Sequence, residues 1–229
     1  MHDYYQAFSP VLNNHRPGYR LPYRHAHRRI ATEPSWKPVE RFTSLNLPPA
    51  DRAWLLDDGS LTGRLIELDQ GLFSVRRLFQ GWQVPLPSER RLLDIPCRQQ
   101  ALIREVVLAL DDCPVVFARS VIPYSSLTGE LAHLRRLQNR PLGAILFGNA
   151  GMHRSPFELA MMQGQEDYLP VSLRQQPPLW GRRSCFDVRG KQLMVSEVFL
   201  QEFSPWPAVL PVHRTQRGKV TAAIIGAKQ

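Results

Sequence analysis

The chain has 229 residues, enough for one sizeable domain with tails, and at that length folding requires no disulfide or metal staple. Its 43 % apolar content is that of a globular protein, and no apolar run approaches the ~18 residues of a membrane span. A net charge of +9 leaves nucleic acid, an anionic surface or a small anionic substrate open as partners.

Residues 1–48 hold Pro10, Pro17, Pro22, Pro34, Pro38 and Pro48, show no apolar periodicity and carry +4 of that charge. They read as a Pro-rich basic extension, poorly ordered, that packs loosely or not at all. The first residues lack the compact apolar core of a secretory signal. His2, His15, His25 and His27 lie in the extension, where a solvated tail explains them better than a metal site. An ordered domain is expected over residues 49–204 and a C-terminal tail over 205–229.

Order begins with two short helical signatures, at Pro49–Leu56 and Ser60–Leu68. Strands are expected over Leu72–Phe79, Ala101–Leu110 and Val115–Ile122, the last two joined by a turn-like Asp111-Asp112-Cys113-Pro114. Leu131, Leu134 and Leu137 repeat at helical spacing. Pro156–Gln163 is predicted helical, with Pro156 in its first turn, and residues 164–178 form a long polar loop. Ser184–Arg189 and Gln192–Leu200 form a hairpin about Gly190-Lys191. The sum is an α+β domain with a mostly antiparallel sheet. Cys97, Cys113 and Cys185 make no CxxC, so a disulfide framework or structural zinc is not expected, and a reducing cytoplasm fits.

Strand side chains alternate between faces. Arg104 is the one charge among Leu102, Val106, Leu108 and Leu110. Arg119 likewise interrupts Val115, Phe117 and Val121, and Glu197 interrupts Leu193, Val195 and Phe199. A two-residue turn at Gly190-Lys191 sets Arg182 opposite Phe199 and on a diagonal to Glu197. Arg104, Arg119, Arg182 and Glu197 then converge on one interior pocket, suited to a small organic dianion. Buried structural salt bridges give the same pattern. No Walker loop, dinucleotide fingerprint, HExxH or Gly-x-Ser-x-Gly elbow is present, and Cys185 reads as a packing residue.

Trp54-Leu55-Leu56, Ser60-Leu61-Thr62, Leu102-Ile103-Arg104-Glu105, Ala118-Arg119-Ser120-Val121-Ile122-Pro123, Pro141-Leu142-Gly143, Leu179-Trp180-Gly181-Arg182-Arg183-Ser184 and Ser196-Glu197-Val198-Phe199-Leu200 occur in that order. The series resembles the bacterial chorismate–pyruvate lyase family, which makes 4-hydroxybenzoate for ubiquinone. The resemblance implies a six-stranded antiparallel sheet with helices, enclosing a small cavity under helical flaps. It implies conversion of chorismate to 4-hydroxybenzoate and pyruvate. Aromatisation supplies the driving force, so no cofactor or metal is expected, and with no exposed heptad or long apolar stripe a monomer is expected.

By the same resemblance Arg104 binds the ligand carboxylate, Glu197 meets the ring hydroxyl, and Leu61 and Leu142 contact the ligand. Leu61 stands where the family has Met, and the 155–178 segment is longer than the family pattern. The residues' own chemistry adds Arg182 or Arg119 as the stabiliser of the second charge. Glu197 either takes the C4 proton or orients the 4-hydroxyl. A competing reading is a non-catalytic effector-binding domain of the same fold, as in GntR-type regulators, but residues 1–48 are too short and Pro-rich for their DNA-binding domain. No nucleic acid or membrane insertion is expected.

Overall fold

A computed structural model describes residues 32–43 and 47–210. The four N-terminal histidines lie outside the described residues, as does most of the extension.

The strands are β1 (Lys37–Pro38), β2 (Phe73–Gln83), β3 (Ala101–Leu110), β4 (Cys113–Pro123), β5 (Met152–Arg154), β6 (Glu158–Gln163), β7 (Pro178–Val188) and β8 (Lys191–Phe199). Four short α-helices accompany them: α1 (Pro49–Leu55), α2 (Leu61–Glu67), α3 (Pro87–Leu92) and α4 (Leu142–Phe147). All strands join one antiparallel sheet in the order β1-β6-β7-β8-β4-β3-β2, with β5 also paired to β7. The α+β class is as expected. The strand count is eight rather than six, because the short β1 and β5 each add a pairing.

Both faces of the sheet are covered, so every residue of β3 is buried, and its sequence is a nearly continuous apolar run. On one face Trp54, Leu55, Leu61 and Leu65 pack over Val106, Leu108 and Phe199, while Leu142 and Leu146 pack with Leu102, Ile122 and Phe186. On the other, Tyr168 and Leu169 pack with Val107, Phe117 and Val198.

Two tight turns set the registers. Asp111 and Asp112, both at positive φ, join β3 to β4. Arg189 (φ 52°) and Gly190 (φ 79°) join β7 to β8, and Asp187 Oδ1 accepts from Gly190 N at 2.7 Å. The turn therefore sits one residue earlier than Gly190-Lys191. Arg182 stands directly opposite Glu197, not opposite Phe199.

Residues 158–163 form a strand rather than the expected helix. Leu159, Ala160 and Met162 are buried and the segment pairs along β7, so sheet burial overrides the helical preference of Glu, Leu, Ala and Met. The polar stretch after it packs under the back of the sheet through Tyr168, Leu169 and Leu173, away from the helices over the opposite face. The extension also contributes packing: β1 pairs with β6, and Trp36 meets Tyr168 edge-on with ring centroids 6.0 Å apart. At the other end Trp54 Nε1 donates to Pro205 O at 2.9 Å, and Trp206 packs on Phe203.

Candidate active site

The registers place two rungs of side chains on the face under α2 and α4. One runs Val106–Ala118–Glu197–Arg182 and the next Arg104–Ser120–Val195–Ser184. A narrow cavity of about 50 Å³ lies over these rungs. Its walls are apolar (Val75, Val106, Leu108, Leu142, Leu146, Phe186), and among the described residues its charged linings are Arg104, Arg154 and Glu197.

Two short helices close it. Ser60 caps α2, its Oγ accepting from Gly63 N at 3.3 Å, which brings Leu61 to the rim. Pro141 precedes α4 and sets Leu142 beside it. The helices meet at Gly143, where a Cβ would stand 3.0 Å from Ser60 Oγ. Arg64 fixes the approach to α2 through two bonds to the Asp57 carboxylate, at 3.1 and 2.9 Å.

Arg104 is 2 % exposed and pairs with no carboxylate among the described residues. One nitrogen, Nη2, donates to Gln138 O (2.9 Å) and Arg140 O (2.8 Å), while Nε is buried without a partner. Burial, then repulsion from Arg77, pushes its pKa down to about 10. A buried cation with open donors and no counter-charge has the chemistry to receive an anion.

Glu197 reaches the cavity from β8. Its Oε2 accepts from Arg182 Nε at 2.6 Å. Arg182 is 1 % exposed, and its Nη1 donates to Trp54 O (2.5 Å) and Asp57 O (3.0 Å). Arg182 thus supports the carboxylate from behind and does not line the cavity.

Arg119 does not join the other three. Arg104 registers with Ser120, so Arg119 falls on the opposite face beside Glu105. There it binds Glu89 (2.7 and 3.0 Å) and Glu105 (2.9 Å). Burial works against its charge, but Glu89 and then Glu105 outweigh it and hold the pKa above the ordinary arginine value. For Arg119 the salt-bridge reading describes the geometry.

Arg154, on β5, was not among the sequence candidates. It reaches into the cavity, where Nε donates to Ser184 Oγ at 2.7 Å and Nη1 makes longer contacts of 3.4 Å to Asp58 O and Gly59 O. Its guanidinium lies 4.1 Å from the Phe157 ring centroid and 4.9 Å from that of Phe186. Burial first, then repulsion from Arg182, brings its pKa down to about 9 despite Glu197 and Asp57. A three-residue strand offers too little alternation to flag its one charge.

A larger hollow of about 510 Å³ on the back of the sheet is lined by Glu33, Trp36, Ser88, Glu158 and Arg183. Its polar groups answer one another: Arg183 binds Glu158 (2.7 Å) and Ser88 (2.8 Å), and Ser88 N donates to Glu33 (3.0 Å). The uncompensated charge is in the smaller cavity.

A model of the chorismate lyase family matches residues 31–206. A Halorhodospira halophila protein named "Probable chorismate pyruvate-lyase" is 38 % identical over 172 residues, 73 % of this chain and 90 % of its own. One of the same name from Aromatoleum aromaticum is 42 % identical over 160 residues, 67 % of this chain and 86 % of its own. Among solved structures, PhnF from Mycobacterium smegmatis is similar with a TM-score of 0.47 at 12 % identity, covering 64 % of this chain and 65 % of that one. A GntR-family transcriptional regulator from Enterococcus faecalis V583 reaches 0.39 at 15 % identity, over 57 % and 91 %. Both scores are too low to carry weight.

Proposed function

The chain belongs to the chorismate lyase family, and from that premise we propose that it eliminates pyruvate from chorismate to leave 4-hydroxybenzoate. The observation that carries this reading is one apolar cavity holding an unpaired buried arginine, Arg104, and an anchored carboxylate, Glu197.

Chorismate carries a ring carboxylate at C1, a hydroxyl at C4 and an enolpyruvyl ether at C3. The C3–O bond breaks, C4 loses its proton and the ring becomes aromatic. The departing enolpyruvate takes a proton on its methylene carbon and becomes pyruvate. Aromatisation drives the reaction, so the protein's task is to hold one reactive conformer in a dry site.

Arg104 takes the ring carboxylate through its open donors. Glu197 accepts the hydrogen bond of the 4-hydroxyl, at the far end of the ring. Leu61 and Leu142, at the N-termini of α2 and α4, cover the ring. With one oxygen engaged by Arg182, Glu197 serves as an orienting acceptor, and the C4 proton passes within the substrate to the enolpyruvyl methylene. The product feeds ubiquinone synthesis as its first committed step, in the cytoplasm, and the enzyme works as a monomer. Among the described residues no helix is long and apolar enough to cross a membrane.

The test is purified protein with chorismate, without added metal or nucleotide, and chromatography of the products. Equal amounts of 4-hydroxybenzoate and pyruvate, lost in Arg104→Ala, are expected. Tight 4-hydroxybenzoate binding without turnover would make the chain a sensor, and neither binding nor turnover would return Arg104 to a structural role. An orienting Glu197 predicts that Glu197→Gln loses less than the roughly 100-fold that removal of a general base costs.

A further inference from the structure

We infer that Arg154 is the residue that binds the enolpyruvyl carboxylate of chorismate and steadies the negative charge as the C3–O bond breaks; this rests on the lyase reading above. The substrate is a dianion, and Arg104 accounts for one carboxylate only. Of the two arginines expected to meet the second charge, Arg119 is on the opposite face with two carboxylates of its own, and Arg182 is bound to Glu197. Arg154 lines the cavity and forms no ion pair among the described residues.

Its position fits the substrate's connectivity. The ring carboxylate and the 4-hydroxyl are para to each other, and the enolpyruvyl ether sits on the carbon next to the hydroxyl. A cation for the second carboxylate must therefore stand on the Glu197 side of the ring, away from Arg104. Arg154 is tied to Ser184 on β7, at the opposite end of the rung from Arg104. Three strand spacings separate β3 from β7, about 14 Å between the backbones, so Arg104 and Arg154 enter the cavity from opposite ends.

The guanidinium is also preorganised. Ser184 holds Nε, the Phe157 ring lies beneath at 4.1 Å, and Nη2 has no hydrogen-bond partner among the described residues. A donor fixed in a largely apolar site costs no reorganisation when charge moves onto the departing enolate. No atom passes through Arg154: it keeps its protons and supplies only hydrogen bonds and charge.

The product separates this role from mere support of the cavity, because 4-hydroxybenzoate keeps the ring carboxylate and hydroxyl but has lost the enolpyruvyl group. The experiment measures chorismate kcat/KM and 4-hydroxybenzoate Kd for the wild type, Arg154→Gln, Arg154→Lys and Arg104→Ala. Arg154→Gln is expected to lower kcat/KM by about 10²–10³-fold, the cost of losing a preorganised donor, while product Kd moves less than about 3-fold. Arg154→Lys, which keeps the charge without the planar fork, should fall between, and Arg104→Ala should lose both readouts. Retained product binding also certifies that the two Arg154 variants are folded, and the urea midpoint does so for Arg104→Ala. Parallel loss of product affinity in both Arg154 variants would overturn the assignment, as would an unchanged kcat/KM. If the wild type itself binds product but turns over no chorismate, the lyase reading fails, and this inference with it.

Discussion

Arg182 and Glu197 face each other across β7 and β8, with Nε and Oε2 2.6 Å apart. The arginine is almost wholly buried, whereas the glutamate keeps 15 % of its side chain exposed toward the cavity. The asymmetry separates them: Arg182 is held inside the fold, while Glu197 presents its carboxylate to the cavity. Arg182 also bonds Trp54 O and Asp57 O, so it ties the end of α1 and the segment before α2 to the sheet.

Removing Arg182 should therefore disturb both folding and binding. Arg182→Ala leaves Glu197 without its partner and the two carbonyls without their donor. Loss of one member of a buried pair costs about 3–5 kcal/mol, to be read from urea unfolding. Glu197→Gln retains an acceptor for Arg182 and should cost clearly less. Equal destabilisation by the two would show that the pair is not organised as described.

The Arg119 group offers the opposite case, stability without binding. Arg119→Met strands Glu89 and Glu105 on the back of the sheet, again at about 3–5 kcal/mol. Since Arg119 lies on the other face from the cavity, chorismate KM at a temperature where the variant is folded should match the wild type. The triple change Arg119→Met, Glu89→Gln, Glu105→Gln removes the stranded charges and keeps the acceptor for Leu86 N, which Glu89 Oε2 meets at 2.9 Å. It should recover much of the lost stability. A large KM increase in Arg119→Met alone would contradict the separation of the two faces.

These two arginines show how far the sequence could be read. The lone charge in an apolar row marks Arg104 and Arg119 as buried and Glu197 as inward-facing and half-buried. Which face each occupies depends on the parity of the strand register, and that is set by turns at Asp111-Asp112 and Arg189-Gly190. A turn moved by one residue shifts the pairing by two, so Glu197 and Arg182 keep a common face either way. Arg119 differs, because the alternation within β4 does not say which of its rows lies beside Arg104, and the β3–β4 register puts Ser120 there. Helices α3 and α4, six residues each, are too short to show periodicity. β6 carries helix-favouring residues and becomes a strand only through its pairing with β7. Arg154 was hidden for the same reason as these: its position follows from tertiary pairing of β5 with β7, not from local pattern.

Gly181 shows a backbone requirement inside the Leu179–Ser184 segment. A Cβ there would stand 2.7 Å from Met162 Cε and 3.1 Å from Trp36 Cη2. The methionine end can swing away, but the indole is flanked by Tyr168 and by Arg183, whose guanidinium lies 4.9 Å from the ring centroid. Gly181→Ala should therefore destabilise by about 1–3 kcal/mol through overpacking. In a Trp36→Leu background the same alanine should cost less, since its neighbour has been removed. Strictly additive effects in this double-mutant cycle would mean that Trp36 does not press on Gly181.

The cysteines should differ in reactivity, in an order set by exposure and by the charge of the thiolate. Cys97 is exposed. Cys113 is half-buried, and burial followed by repulsion from Glu202 raises its pKa. Cys185 is half-buried on β7, where burial pushes its thiol up to about 11, with Sγ 3.9 Å from Leu92 O. The thiolate is the nucleophile, so a raised pKa means less reactive form at neutral pH. With a maleimide at pH 8, mass spectrometry should find Cys97 modified first and Cys185 last. Below its pKa of about 11, the Cys185 rate should rise about tenfold per pH unit as the thiolate fraction grows, provided the fold persists. Cys185 labelling as fast as Cys97 at pH 8 would mean that β7 opens readily to solvent although it is paired on both sides. Arg154 and Ser184 would then be held less firmly than the site requires.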